Sequence, residues 1–184
     1  MSSARSRPAW VAVPDLAVPA SEEAPATGTW PFPVARRLAL CLVADTVAGH
    51  RAAGRTVAVA TPVGRPIWWR GLATWLAEHG AGVEVSDPPA GINPEPIALP
   101  DDAVAARAVG PTCRRLLGEV DRPLRYLAVT VGAATDAGWT VLTEEGWRTD
   151  LARTALLDRV EQLRPGQRLH ALIDDERRVV SAWY

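Results

Sequence analysis

The chain has 184 residues, 48% of them apolar and 22% charged, and a formal net charge of −1 at neutral pH. Length and composition fit a single α/β domain over 1–184 with a sizeable core, and they exclude a largely disordered chain. No long apolar run and no uninterrupted signal sequence is present, and the charge lacks the net basic excess of a broad nucleic-acid surface, so the expectation is a cytoplasmic protein with no membrane association.

All twenty basic residues are arginine. With no lysine in the chain, neither a lysine Schiff base nor a lysine clamp on a phosphate can operate. Cys41 and Cys113 fall in predicted helices without metal-ligand spacing, which reads as two buried thiols. His50, His79 and His170 are scattered, two of them near predicted helix C-termini where a partial positive charge is favourable. No zinc spacing and no G-x-S-x-G elbow occurs. The carboxylate pairs at 101–102, 144–145 and 174–175 sit at predicted turns or caps. These residues call for no cofactor.

In chain order, 1–8 is a loose end, 9–13 a first strand, and 14–29 an aperiodic Pro/Ala/Ser/Glu-rich loop. A helix follows over 34–53, apolar nearly all round between Leu38 and Val47, and Gly54 stands where a C-terminal cap belongs. The run TVAVA at 56–60 suits a parallel strand covered on both faces. A helix over 65–79 ending at Gly80, and a strand over 83–86, extend the alternation. The segment 87–100 is irregular, and Asp101 caps a helix to about Glu119. Strands are expected at 126–131 and 139–143, an amphipathic helix over 151–163 capped by Thr149, and a terminal hairpin of 168–173 with 178–183. This order predicts a Rossmann-like three-layer α/β fold, a parallel sheet with helices on both faces, closed by a C-terminal antiparallel hairpin.

The loop after TVAVA, Thr61-Pro-Val-Gly-Arg-Pro, leads into a predicted helix whose N-terminus offers free N–H groups to an anion. It carries only Gly64, whereas a dinucleotide fingerprint needs three glycines, and Asp87 stands at the end of the next strand where a ribose-binding acid would be. Trp68 and Trp69 are adjacent on that helix and point about 100° apart, so one packs inward and the other covers a groove or an interface.

With these elements in place, the chain resembles the N-terminal half of a class I aminoacyl-tRNA synthetase catalytic domain, of the cysteinyl-tRNA synthetase and cysteine-ligase branch. The likeness runs through the WVAV strand, Pro31-Phe32-Pro33-Val34 at the HIGH position, Ala35-Arg36 and Asp45-Thr46-Val47 on the following helix, Gly54, TVAVA, Thr61 and the WWRGLATWLAEHG segment. The helix over 151–163 and the HALIDDERRVV hairpin resemble the start of the family's connecting insertion. The departures are chemical: Phe32, Pro33 and Val34 replace the signature region's histidine chemistry, the KMSKS loop and the zinc ligands have no counterpart, and no lysine is available.

The resemblance implies a degenerate paralogue that binds an aminoacyl or nucleotide-type ligand, or a tRNA end, without performing full adenylation. The expected groove runs along Phe32, Arg36, Arg37, Thr61, Arg65, Trp68 and Trp69, at strand C-terminal ends where open α/β sheets bind ligands. The alternative is a noncatalytic subunit, or homodimer, that docks a protein partner through exposed tryptophan and arginine. A small nucleotide-sugar or group transferase is the third option.

Overall fold

The computed structural model describes residues 7–16, 30–64, 69–160 and 162–184. Contacts divide the chain into two compact units, Met1–Cys113 and Arg114–Tyr184.

The first unit holds β1 (Ala9–Ala12), α1 (Phe32–Ala52), β2 (Val57–Ala60), α2 (Leu72–Glu78), β3 (Glu84–Ser86), β4 (Glu95–Pro96) and α3 (Ala103–Val109). Its four strands pair in the order β3-β2-β1-β4, all parallel, with Val11 opposite both Val59 and Glu95. The inner strands β1 (AWVA) and β2 (VAVA) are short and apolar, as strands covered on both faces of a parallel sheet are, while the edge strands β3 (EVS) and β4 (EP) are more exposed. Val11, Val59, Val43, Val47 and Leu76 are among the buried members of this core. The 21-residue α1 starts with Pro33 in its first turn, a position that has no N–H to lose, and it is buried along most of its length from Val34 to Val47. It stops at Gly54, whose φ of 70° lets the last carbonyls be met by the N–H groups of Gly54 and Arg55.

A second fixed point in this unit lies between α1 and the start of α4 (Pro111–Leu117). Asp45, 5% exposed in the middle of α1, accepts hydrogen bonds from the backbone N–H of Thr112 at 3.0 Å and of Cys113 at 2.9 Å. A helix start leaves such N–H groups without intrahelical partners, and here a carboxylate remote in sequence supplies the cap. Gly110 makes the approach feasible: a Cβ there would lie 2.4 Å from the Asp45 Cγ.

The second unit is built from β5 (Leu124–Ala134), β6 (Gly138–Thr143), β7 (Arg148–Ala152), a 3-10 turn (Arg153–Ala155), β8 (Arg168–Asp174) and β9 (Val179–Trp183). These strands form one antiparallel sheet in the order β7-β6-β5-β8-β9. Leu127, Val129 and Val131 alternate along β5 and meet Val141, Leu151 and Leu169 in the core of this unit. The chain leaving the 3-10 turn bridges to the far edge strand, Leu156 to Ala182, so the sheet curls toward closure. Beside β9, the Ser181 hydroxyl donates to the Leu116 carbonyl at 2.6 Å.

The expected three-layer Rossmann-like fold is therefore corrected. The parallel sheet has four strands, and everything from β5 onward belongs to a separate five-stranded antiparallel sheet. Three helix expectations fail for local reasons. Among the described residues, the helix placed at 65–79 appears as α2, which starts after Gly71 at φ 75°; residues 65–68 lie outside the described residues. The helix from Asp101 to Glu119 breaks into α3 and α4 at Gly110-Pro111, where the proline cannot donate to the preceding turn. The segment 151–163 is not helical: it begins in β7, whose residues pair with β6, passes through the 3-10 turn, and has no further helix among the described residues. The terminal strands do form the antiparallel pair β8–β9.

Candidate functional site

The C-terminal ends of β2 and β3 open into a cleft of about 550 Å³. Thr61 and Pro62 line it from the loop after β2, and Val85, Ser86 and Asp87 line it from the end of β3. Trp69, Arg70 and Gly71 approach from the segment before α2, and Leu72 and Ala73 from its first turn. The location follows from strand direction: parallel strands deliver all their outgoing loops to one edge, where side chains of several loops converge.

The polar groups here differ in availability. The Thr61 N–H donates to the Ser86 carbonyl at 3.0 Å, tying the two loops together, and Pro62 has no N–H. The Ser86 hydroxyl donates to Glu84 at 2.7 Å. Arg70 is exposed and makes no ion pair or hydrogen bond among the described residues. Trp69 is 6% exposed and belongs to the core of the first unit while presenting part of its surface to the cleft.

Thr61 and Trp69 are thus brought together, whereas Phe32, Arg36 and Arg37 do not line the cleft. Phe32 is half-buried and packs against the core of the first unit. Arg37 is 6% exposed, with its guanidinium 5.3 Å from the centroid of Trp75. Trp75 in turn stacks on His79 with centroids 3.9 Å apart, and His79 Nδ1 lies 2.8 Å from the Trp75 carbonyl oxygen, to which it donates. Arg36 is exposed on α1; burial of its stem, and then the charge of Arg37, lower its pKa below the ordinary guanidinium value. Arg65 and Trp68 lie outside the described residues.

At β1 the strand order reverses, with β2 on one side and β4 on the other. Leu16, Phe32 and Ile97 pack against the core, and the Trp30 indole N–H donates to the Pro100 carbonyl at 2.7 Å. Arg70 and Val85 were not expected in the cleft. The signal for Arg70 was the glycine that follows it, which takes φ 75° and leaves Arg70 in the segment before α2 rather than inside it.

In the second unit, Tyr126 and His170 form a hydroxyl–imidazole contact of 2.8 Å on the sheet face that also carries Trp183. Among the described residues, no group of three His, Cys, Asp or Glu side chains gathers in a way that could hold a metal ion. No helix among them is long and apolar enough to cross a membrane. A scan against protein-family profiles, a search of curated proteins and a search of solved structures each return no match to this chain.

Proposed function

We propose that this chain binds a small aminoacyl or nucleotide-type ligand in the cleft at the C-terminal ends of β2 and β3. The observation that carries the reading is the convergence of Thr61, Trp69, Arg70, Ser86 and Asp87 at one edge of a parallel sheet. Pro62, Leu72, Ala73, Val85 and the small accessible edge of Trp69 offer an apolar body its contact area, and a guanidinium and a hydroxyl offer orientation. The synthetase-like order of elements in the first half supports the ligand class, which rests on the first unit alone.

The reading is of a binding protein in a specialised pathway, not of an adenylating enzyme. Phe32 packs on the core, and no lysine exists to assist a triphosphate. Docking of a protein partner through tryptophan draws no support from Trp69, which is buried.

The test is a calorimetric titration of the intact protein with amino acids, aminoacyl-adenylate analogues and AMP, repeated on Trp69→Phe and Arg70→Ala. A ligand that binds the wild type and loses affinity in both variants supports the cleft. Binding unchanged by either variant, or no heat with any of these compounds, rules it out.

A further inference from the structure

We infer that the cleft takes the carboxyl-terminal end of a peptide, paired by its main chain to the open edge of β3 and met at its terminal carboxylate by Arg70. This deepens the cleft-binding reading above and rests on it. β3 is an edge strand of the parallel sheet, and it pairs with β2 in the register Ala58 to Glu84, Val59 to Val85 and Ala60 to Ser86. The Ser86 carbonyl accepts the Thr61 N–H, so Ser86 turns its main-chain groups toward β2. Successive residues of a strand turn those groups to opposite edges, and Val85 therefore aims its N–H and C=O away from β2. Neither main-chain group of Val85 has a hydrogen-bond partner among the described residues, and Val85 lines the cleft. An unpaired strand edge of this kind is a template on which an extended peptide adds as a further strand.

The site also fixes the direction of the added chain. Arg70, exposed, lines the cleft at the C-terminal ends of the strands, so a carboxylate that reaches it ends a chain running parallel to β3. In a parallel pair, the Val85 N–H donates to the carbonyl of one ligand residue, and the Val85 C=O accepts the N–H of the residue two further on. When that second residue is the last of the peptide, its carboxylate lies just past the pairing, where a guanidinium can form a paired hydrogen bond with it. The smallest ligand with all three groups is an N-acyl dipeptide. Its acyl carbonyl meets the Val85 N–H, and its terminal residue carries both the N–H and the carboxylate. Pro62, Leu72 and Ala73 offer the terminal side chain an apolar wall.

The experiment titrates the intact protein with N-acetyl-alanyl-leucine, its analogue methylated on the leucine nitrogen, its C-terminal amide, free leucine and AMP. The dipeptide is expected to bind about tenfold or more tightly than leucine or AMP, and methylation and amidation are each expected to weaken it about tenfold, as for one lost hydrogen bond. The difference between acid and amide is expected to vanish in Arg70→Ala. Val85→Pro removes the outward N–H without touching the ladder to β2, a place where an edge strand tolerates proline, and is expected to lose the dipeptide. Val85→Ala keeps the N–H and is expected to retain it. Equal binding of the methylated analogue or of the amide, or leucine or AMP binding at least as tightly as the dipeptide, overturns this inference while leaving the cleft as a binding site. Undiminished dipeptide binding by Val85→Pro, or an acid preference that persists in a folded Arg70→Ala variant, overturns it as well. The ligand analogues are read on the wild type, so they decide the matter even where the proline variant does not fold. No heat with any of the five compounds overturns both.

Discussion

Asp45 on α1 caps α4 across 68 residues of chain, its Oδ2 accepting the backbone N–H of Cys113 at 2.9 Å. The carboxylate is buried, so water cannot replace it if it is removed. Asp45→Ala leaves two N–H groups at the helix start without their acceptor, and the expected loss is about 1–3 kcal/mol. Urea denaturation of the purified variant measures it, and an unchanged midpoint would show that the cap is energetically idle.

Two glycine substitutions are expected to act in opposite directions. Gly49 lies in the last turns of α1, and a Cβ added there would meet nothing within 4 Å, so Gly49→Ala is expected to stabilise the fold by roughly 0.5–1 kcal/mol through helix propensity. Gly138 opens β6, and a Cβ there would lie 2.0 Å from the Leu151 carbonyl oxygen, a backbone atom of the paired strand. Gly138→Ala must push β6 and β7 apart and is expected to be clearly destabilising, by more than about 1 kcal/mol. Thermal unfolding of the two variants side by side reads both signs.

Asp174 carries a pH dependence at the turn between β8 and β9. Burial alone would raise its pKa. The backbone N–H and side chain of Arg178, its charge, and the Glu176 N–H outweigh that and hold the carboxyl below its ordinary value. A carboxyl depressed on folding contributes stability that is present above its unfolded pKa, near 3.9, and is lost as pH falls through the folded value. Asp174→Asn is therefore expected to be less stable than wild type at neutral pH, with the gap narrowing as the solution is acidified below about pH 4. Denaturation midpoints from neutral to acid pH check this; a gap that does not change with pH would remove the ionic contribution.

Leu151 is 1% exposed within the core of the second unit. Truncation to alanine removes buried methyl groups and leaves a cavity, at an expected cost of about 2–5 kcal/mol. If Leu151 were on the amphipathic helix face suggested by its sequence spacing, the loss would be similar in size. The structural difference is read by amide exchange: the protected neighbours are expected to be Trp139 and Thr140 of the paired strand β6, not residues three and four positions further along the chain.

Short apolar runs bounded by turn residues were legible as strands. TVAVA and the segment ending at Ser86 pair in parallel, as their pattern implies. The long α1 was legible too, since its apolar content and Gly54 agree. What periodicity could not decide was the segment from Leu151 to Leu163. Its leucines recur at helical intervals, yet Leu151 is held by its ladder to Trp139 and Leu156 by its bridge to Ala182, contacts that no local pattern reports. The antiparallel character of β5 did leave a trace, in the alternation of Leu127, Val129 and Val131 with half-buried neighbours. In the cleft, Thr61 was found because it follows a strand. Arg70 was missed because a helix was carried straight through Gly71.

The strand orders also bear on how the chain acquires its structure. In the first unit, Val11 must find Glu95, and no pairing between β1 and β4 can form until the intervening helices and strands have been made. In the second, β5 with β6, β6 with β7, and β8 with β9 are neighbours in sequence, so most of the sheet grows from short-range hairpins and only β5 with β8 requires a longer search. Loop-closure entropy favours the short-range pairings in time. During synthesis from the N-terminus, the unit that emerges later holds the quicker pairings, and the first sheet waits on partners far down the chain.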